Sequence, residues 1–291
     1  EQVLVHDRKG ERRVSPFMVP LIMPNAPGAA ISMRFGLQGP NETITTACAA
    51  STHAIGYATR LIQMGYADVV VSGGTESVMS PVGMAGFQNM TALSSSGQSK
   101  PFDKDRDGFM MTEGSATLVL EEMSSAQSRG ANIYGEVLGS GSTADAHHIT
   151  APAPGGDGAL RCMQLAIEDS GLASTDIASV NAHGTSTPLN DAAEAEALSK
   201  LFGEDGPPVT STKGVTGHAL GAAGAIEATA VLLSFLHKQI PPTAGFVNRD
   251  PEMAGFNIVT GSGLEWEPGP SMSNSFGFGG HNGSIVLAPV N

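Results

Sequence analysis

Apolar residues recur along the chain in two alternating patterns: short β-branched runs, and longer stretches that repeat every three to four residues. The second pattern is clear in residues 49–64, where Ile55, Ala58 and Leu61 share one side of a predicted helix. The runs and repeats predict strands at 41–46, 68–71, 117–120, 134–139, 177–181, 209–212, 257–260 and 284–288, and helices at 49–64, 159–170, 189–202 and 222–237, with a short helix ending before Gly130. This alternation predicts an α/β layered fold with a mostly parallel sheet.

The strand and helix pattern falls into two successive halves. Gly130 follows a predicted helix and a second series starts at Ile133, so we predict halves at 1–130 and 131–291, the first being short by comparison. Residues 79–108 show no period and are rich in Ser, Gly and Asn, which predicts a long loop. The helix at 222–237 is apolar nearly all round and should be deeply buried.

Composition narrows the classes of partner. A formal net charge of −13 argues against nucleic acid, and 5% aromatic residues offer few stacking surfaces for bases. The longest apolar run, Val231 to Leu236, is too short to cross a membrane. Two cysteines provide no disulfide framework, which favours a reducing, cytoplasmic setting.

Cys48 is the first candidate for catalysis, because it lies where a predicted strand meets the helix at 49–64. Unpaired N–H groups and the positive end of the helix dipole at that position favour the nucleophilic thiolate. The alternative is a small buried hydrophobic residue. Cys162, inside the helix at 159–170, is assigned that packing role.

His183 and His218 each follow a predicted strand and lie in turns flanked by glycine. A neutral imidazole can donate a hydrogen bond to a developing oxyanion or enolate. A metal site made of Cys48 and the two histidines is the competing interpretation. Their long spacing and the lack of a paired carboxylate disfavour it.

Lys213 precedes His218 by five residues, and Glu227 follows it by nine on the buried helix. A carboxylate there needs a partner, for which Lys213 is the obvious candidate, and Asp191 could join the same network. A purely structural ion pair is the alternative.

Hydroxyl side chains and glycines surround two further candidates. Thr185 and Thr187 lie beside His183, where they could bind a substrate arm or cap the following helix. Phe278 lies among glycines whose N–H groups could form half of an oxyanion hole, and its ring could act as a gate.

Four motifs together resemble the elongating β-ketoacyl-acyl-carrier-protein synthases of the thiolase superfamily. They are Thr-Ala-Cys-Ala-Ala-Ser at 46–51, Asn-Ala-His-Gly-Thr-Ser-Thr at 181–187, Ser-Thr-Lys-x3-Gly-His at 211–218, and Asn-Ser-Phe-Gly-Phe-Gly-Gly at 274–280. The resemblance runs through the whole chain. It implies a thiolase-like layered fold of two similar βα halves, with the first half incomplete.

By this resemblance, Cys48 accepts an acyl chain from a carrier-protein thioester, and the N–H groups of Cys48 and Phe278 form the oxyanion hole. His183 and His218 assist decarboxylation of malonyl-carrier protein and stabilise the enolate. The other residues it implies are Lys213 and Glu227 supporting the histidines, Thr185 and Thr187 binding the phosphopantetheine arm, Phe17, Phe109 and Phe278 lining the substrate site, and Asn181, Glu227, Ser273 and Asn274 holding a monovalent cation. Arg12 and Arg13 belong to a basic run within the first thirteen residues, which is either a binding patch for the acidic carrier protein or a solvated charged loop.

The resemblance also implies the reaction and the partners. His218 stands where initiating synthases carry asparagine, so we expect elongation of carrier-bound acyl chains by two carbons. The expected partner is acyl carrier protein, the expected state of the full-length form is a homodimer, and no cofactor is expected. A modular polyketide ketosynthase and a non-catalytic fragment that binds a carrier protein are the alternatives.

Two features depart from the family pattern. Relatives open with several strand and helix units before the segment matching Arg12 and Arg13, so roughly a hundred residues are expected to be missing. Relatives usually have glycine in place of Thr112. If that position needs a positive φ, a threonine there is strained.

Overall fold

The computed structural model describes residues 1–290, which form two compact units, Glu1–Thr45 and the chain from Thr46 onward. The predicted boundary between residues 130 and 131 separates two series of strands and helices, which is a different division from these compact units, and it stays a prediction.

The N-terminal unit is helical, which the hydrophobic pattern did not predict. It contains α1 (Gln2–Lys9), a 3₁₀ turn at Glu11–Arg13, α2 (Met18–Ile22) and α3 (Ala26–Phe35). The predicted strand at 41–46 is wrong: these residues pair with no strand of the described chain, and a strand needs a hydrogen-bonded neighbour.

From Thr46 to Thr210, helices and strands alternate, and two α-helices and then four strands follow. The helices are α4 (Ala50–Gln63), α5 (Pro81–Asn89), α6 (Met123–Ser128), α7 (Asp157–Ser170), α8 (Pro188–Phe202), α9 (Lys213–Thr216) and α10 (Ala223–His237). The strands are β1 (Val69–Glu76), β2 (Gly114–Glu121), β3 (Glu136–Ala144), β4 (Ser179–Asn181), β5 (Val209–Thr210), β6 (Gln239–Ile240), β7 (Leu264–Glu265), β8 (Ser271–Gly277) and β9 (His281–Ala288). The four long predicted helices are confirmed to within two residues at each end.

The central sheet has five strands in the order β3-β9-β8-β4-β5. β8 runs parallel to β4 and β4 to β5, whereas β3–β9 and β8–β9 are antiparallel pairs. The sheet is mixed and in keeping with the expected mostly parallel arrangement: β9 runs against the other four strands, because a glycine-rich turn folds β8 back onto it as a hairpin. β8 was not predicted, since its buried residues are mostly serine and asparagine. The predicted strand at 257–260 is reduced to one bridge, Val209–Ile258.

α5 interrupts the predicted loop at 79–108. Its start depends on local capping and not on apolar periodicity: Ser80 accepts a hydrogen bond from the Gly83 N–H at 3.1 Å, and Pro81 occupies the first helical position. Such signals are short, and the mixed sequence of the region obscured them.

α10 is the central helix of the second unit. By length and composition alone, the stretch Leu220–His237 could cross a membrane, which the shorter run at 231–236 did not indicate, but 56% of it is buried inside the protein. The buried side carries Glu227, while Leu233 and Leu236 are exposed, so the predicted burial holds for one side only. Burial of this kind is typical of a core helix.

Candidate active site

Cys48 lies in a 3₁₀ turn, Ala47–Ala49, immediately before α4, and is buried. The preceding Ala47 has φ 49°, a left-handed conformation that costs a non-glycine residue energy and is common beside functional groups. Gly277 of β8 approaches from the other side: a Cβ there would lie 3.0 Å from the Cys48 nitrogen. The nucleophile candidate is thus held between the start of a helix and the end of a strand.

The structure brings Cys48 together with both histidines. His218 Nε2 lies 3.1 Å from Cys48 Sγ, and the two imidazole rings are 5.3 Å apart between centroids. One ligand-type atom from each of the three residues lies within 4.8 Å of the others, as in a metal site. The Lys213 ammonium beside them opposes a further cation, which favours acyl chemistry over metal binding.

Lys213 joins His183 to Glu227. Its Nζ lies 3.3 Å from His183 Nδ1 and forms an ion pair with Glu227 Oε1. Lys213, Glu227 and both histidines are at most 1% exposed, so this network is shielded from solvent. The predicted partnership of Lys213 and Glu227 is therefore present in the structure.

Asp191 does not join that network, so the expectation that it could is wrong. Its carboxylate instead accepts the N–H groups of Phe102 at 2.7 Å and Ser186 at 3.1 Å. α8 places it against the backbone that follows His183. Its role is therefore to hold that loop.

Glu194 is a buried acidic residue that sequence reasoning missed. Its two carboxylate oxygens accept the N–H groups of His183 and Gly184, each at 2.8 Å. A signal was available: Asp191 and Glu194 are spaced three apart on the buried face of α8, beside Ala195. Two acids on a buried stripe need donors, and here the donors are the backbone amides around a catalytic candidate.

Burial keeps both imidazoles neutral. It lowers the pKa of His183 and of His218 well below the usual value, and the positive charge of Lys213 lowers both further. Burial likewise raises the pKa of Glu227 to about 7, against the opposing effect of Lys213. Neutral imidazoles can donate a hydrogen bond to a developing negative charge without first losing a proton.

Burial also raises the pKa of the Cys48 thiol to about 11, and this outweighs the lowering effects of Lys213 and of the backbone N–H groups of Phe278 and Cys48. The N–H groups at the helix start favour thiolate as expected, but desolvation is the larger effect, so the net pKa of the thiol is raised. The same two N–H groups face the sulfur, which is the placement that an oxyanion hole at this cysteine requires.

Alkylation of Cys48 should therefore depend steeply on pH. Because the raised pKa leaves the thiol protonated at neutral pH, the rate with iodoacetamide should rise about tenfold per pH unit and level off only near pH 11. The rate at each pH is measured by mass spectrometry of samples quenched at successive times, on Cys162→Ala, which retains Cys48 as its single cysteine. A plateau at or below pH 8 would contradict it.

Aromatic rings and hydroxyl groups surround the cysteine. Phe109 packs edge-on against the His218 ring at 4.9 Å and against Phe87 at 5.8 Å, and Phe87 stacks on Phe278 at 6.5 Å. Phe87 was missed because it lay in the supposed loop. Thr185 and Thr187 bond each other through their hydroxyls at 2.9 Å, and neither side chain caps α8.

Phe17, Arg12 and Arg13 lie in the N-terminal unit, where all three are exposed. Arg12 and Arg13 belong to the 3₁₀ turn at Glu11–Arg13. Their predicted roles toward substrate and carrier protein stay predictions.

Three buried oxygens fit the predicted monovalent cation. Asn181 and Ser273 are register partners on β4 and β8, and Asn181 Nδ2 lies 3.4 Å from the Glu227 carbonyl oxygen. Asn181 Oδ1, Ser273 Oγ and Glu227 Oε2 lack a hydrogen-bond partner within residues 1–290. Oxygen ligands of this kind suit a hard cation. The Asn274 side chain does not fit the prediction, since it bonds Ser284 and Met163.

The strain expected at Thr112 is absent: its φ is outside the left-handed region, and the neighbouring residue that adopts a positive φ is Gly108, at 130°. A Cβ on Gly108 would lie 2.6 Å from the Ala92 carbonyl oxygen, so glycine is required there.

Comparison with known proteins identifies the family. The model for the N-terminal domain of beta-ketoacyl synthase matches residues 1–126, and the model for the C-terminal domain matches residues 134–247. The chain is 46% identical over 294 residues to 3-oxoacyl-[acyl-carrier-protein] synthase 2 of Synechocystis sp., covering 99% of this chain and 70% of the relative. The synthase 2 of Staphylococcus aureus is 46% identical over 285 residues, covering 96% and 70%. The chain belongs to the β-ketoacyl synthase family.

Solved structures agree with this assignment. A beta-ketoacyl synthase from Burkholderia phymatum has a TM-score of 0.94 and 36% identity, covering 100% of this chain and 72% of its own. A type II polyketide ketosynthase, solved with its acyl-carrier protein and bound to the hexaketide, has a TM-score of 0.93 and 30% identity, covering 99% and 74%. The predicted α/β ketosynthase fold is confirmed.

Proposed function

We propose that this protein extends a fatty acyl chain by two carbons, through decarboxylating Claisen condensation of a Cys48-bound acyl group with malonyl-acyl-carrier protein. The observation that carries the proposal is the contact between a buried thiol and His218, with a second neutral imidazole, His183, 5.3 Å away between ring centroids. This arrangement provides a nucleophile together with two donors for the charge that the reaction develops.

The first step is acyl transfer. Cys48 sulfur attacks the thioester carbonyl of the acyl-carrier protein, the carbonyl oxygen takes negative charge, and the N–H groups of Cys48 and Phe278 stabilise it. The carrier thiol leaves with the proton that Cys48 gives up. Because the free thiol has a high pKa, activation of the sulfur depends on substrate binding. The negative charge then develops on the substrate carbonyl oxygen, where the two N–H groups stabilise it.

The second step forms the carbon–carbon bond. Malonyl-carrier protein loses CO2, and the resulting enolate oxygen accepts hydrogen bonds from His183 and His218. The enolate carbon attacks the acyl carbonyl on Cys48, the carbon–sulfur bond breaks, and the thiolate takes up one proton. Both imidazoles serve as neutral donors, in agreement with their lowered pKa values.

The remaining residues position these groups. Lys213, paired with Glu227, orients His183 through Nδ1, so that its Nε2 faces the substrate. Thr185 and Thr187 bind the phosphopantetheine arm, and Phe109 lines the acyl site. A monovalent cation held by Asn181, Ser273 and Glu227 would order the two strands that carry Asn181 and Ser273; the reaction itself needs no resident cofactor.

Sequence identity supports fatty acid elongation over polyketide assembly. The relatives named 3-oxoacyl-[acyl-carrier-protein] synthase 2 share 46% of residues with this chain, whereas the type II polyketide ketosynthase and the bacillaene ketosynthase share 30% and 28%. Histidine at 218 supports elongation over initiation. We further propose a cytoplasmic location, in keeping with two unpaired buried cysteines, and a homodimer, on the resemblance to full-length relatives.

The function is tested by incubating the protein with acyl- and malonyl-acyl-carrier protein and analysing the products by mass spectrometry. The expected product is a 3-oxoacyl chain two carbons longer, with release of one CO2 per turnover. Binding of carrier protein with neither acyl mass on Cys48 nor product would favour the non-catalytic alternative. Activity on polyketide intermediates alone would favour the polyketide alternative.

Charge reversal in the N-terminal unit should weaken carrier-protein binding. Arg12→Glu with Arg13→Glu should lower the affinity by about tenfold at low salt and by less at high salt, because screening weakens attraction between exposed charges. Titration calorimetry at two ionic strengths measures this. Lys200→Glu with Lys238→Glu makes the same change in net charge elsewhere. Equal losses in both double variants would assign the effect to net charge and not to this patch.

A further inference from the structure

His218 is held differently from His183. The His183 ring is fixed from behind by Lys213 at Nδ1 and its backbone by Glu194. His218 Nε2 contacts Cys48, but its buried Nδ1 has no hydrogen-bond partner among residues 1–290. No side chain therefore fixes the His218 ring through its second nitrogen. Its position depends on ring packing against Phe109 and on the backbone that carries it.

That backbone is anchored to the segment 110–112. The His218 N–H donates to the Met110 carbonyl at 2.8 Å, and the Thr112 N–H donates to the His218 carbonyl at 3.1 Å, forming a parallel bridge centred on Met111. These bonds fix the His218 backbone from one side. They do not involve the preceding turn, Thr216 and Gly217.

The Thr112 side chain holds that turn. Its hydroxyl donates to the Thr216 carbonyl at 2.9 Å, at the end of α9, where helical carbonyls lack intrahelical partners. Its methyl group packs against Gly217, since a Cβ there would lie 2.5 Å from Thr112 Cγ2. α9 begins at Lys213 and ends two residues before His218, so this bond joins both parts of the site.

We propose that Thr112 is a positioning residue for His218, whose hydroxyl fastens the end of α9 and thereby sets the distance between His218 Nε2 and Cys48 Sγ. The inference rests on the proposed function for its effect on turnover, but the thiol–imidazole contact can be measured without that reaction. Glycine at position 112 could not make this hydrogen bond, because it has no side chain.

Thr112→Val tests the hydroxyl, because valine keeps the β-branched shape. We expect kcat for condensation to fall about tenfold with KM for carrier protein unchanged, since a small displacement of a reacting group is costly. Iodoacetamide alkylation of Cys48 should slow at pH 8, to a rate between those of wild type and His218→Ala. Thr112→Ser, which restores the hydroxyl, should return both rates to within about twofold of wild type.

Thr59→Val is the matched control, since the Thr59 hydroxyl bonds only the Ile55 carbonyl of its own helix, at 2.9 Å, and should leave both rates unchanged. Thr112→Ala replaces the valine variant should that one fail to fold, as judged by circular dichroism. The proposal would be overturned if a folded Thr112→Val or Thr112→Ala variant alkylated and turned over at wild-type rates. It would also be overturned if Thr112→Ser lost as much of both rates as Thr112→Val. An inactive wild type with the expected order of alkylation rates would overturn the proposed function and leave the positioning role supported.

Discussion

Replacing Cys48 with alanine is expected to abolish acyl transfer and condensation while leaving the fold intact. Removal of the attacking group of a covalent mechanism costs at least about 10⁴-fold in rate. Intact-protein mass spectrometry after incubation with acyl-carrier protein should show the acyl adduct on wild type and none on Cys48→Ala. Product analysis should show no 3-oxoacyl chain.

The chain offers a matched control for this prediction. Cys162 is also buried, on α7, but lies outside the site, so Cys162→Ala should keep the adduct and the condensing activity. Similar melting temperatures of the two variants would show that folding is not the cause. An undiminished adduct on Cys48→Ala would exclude this cysteine as the nucleophile.

Replacing Lys213 with methionine should affect both activity and stability. Loss of the group that orients His183 should lower kcat by about 10²-fold. Removing one partner of a buried ion pair typically costs about 3–5 kcal/mol, because Glu227 keeps no compensating charge. Condensation kinetics and chemical denaturation measure these two effects.

The loss of stability in Lys213→Met should grow as the pH rises. Burial raises the folded-state pKa of Glu227 above its unfolded value, and without Lys213 the lowering effect is gone. The folded state then binds more protons than the unfolded one, so stability present at low pH is lost from about pH 4.5 upward, through pH 7 and beyond. Adding Glu227→Gln should remove this dependence and recover most of the stability. A pH-independent loss, or an unchanged kcat, would argue that the pair does not support catalysis.

Much of the local structure followed from the sequence. Apolar spacing identified α4, α7, α8 and α10, because helical periodicity is a local property. The β8 strand was invisible to that reasoning, since its serines and asparagine are buried by neighbours on both sides and not by their own hydrophobicity. α5 was missed for a local reason: short capping signals determine where it starts, and they lie within a segment of irregular composition.

Residue types and motifs in the sequence determined which groups carry the chemistry: one cysteine before a helix, two histidines after strands, and a lysine with a buried acid. Only the tertiary structure decided how these groups act. It buried the Cys48 thiol so deeply that desolvation raises its pKa more than the N–H groups at the helix start lower it. It also placed Asp191 against backbone N–H groups instead of Lys213, and Glu194 and Thr112 against the segments that carry the two histidines. The reason is that burial and hydrogen-bond partners are set by segments distant along the chain, whereas the pattern of a single stretch reports only its own preferences.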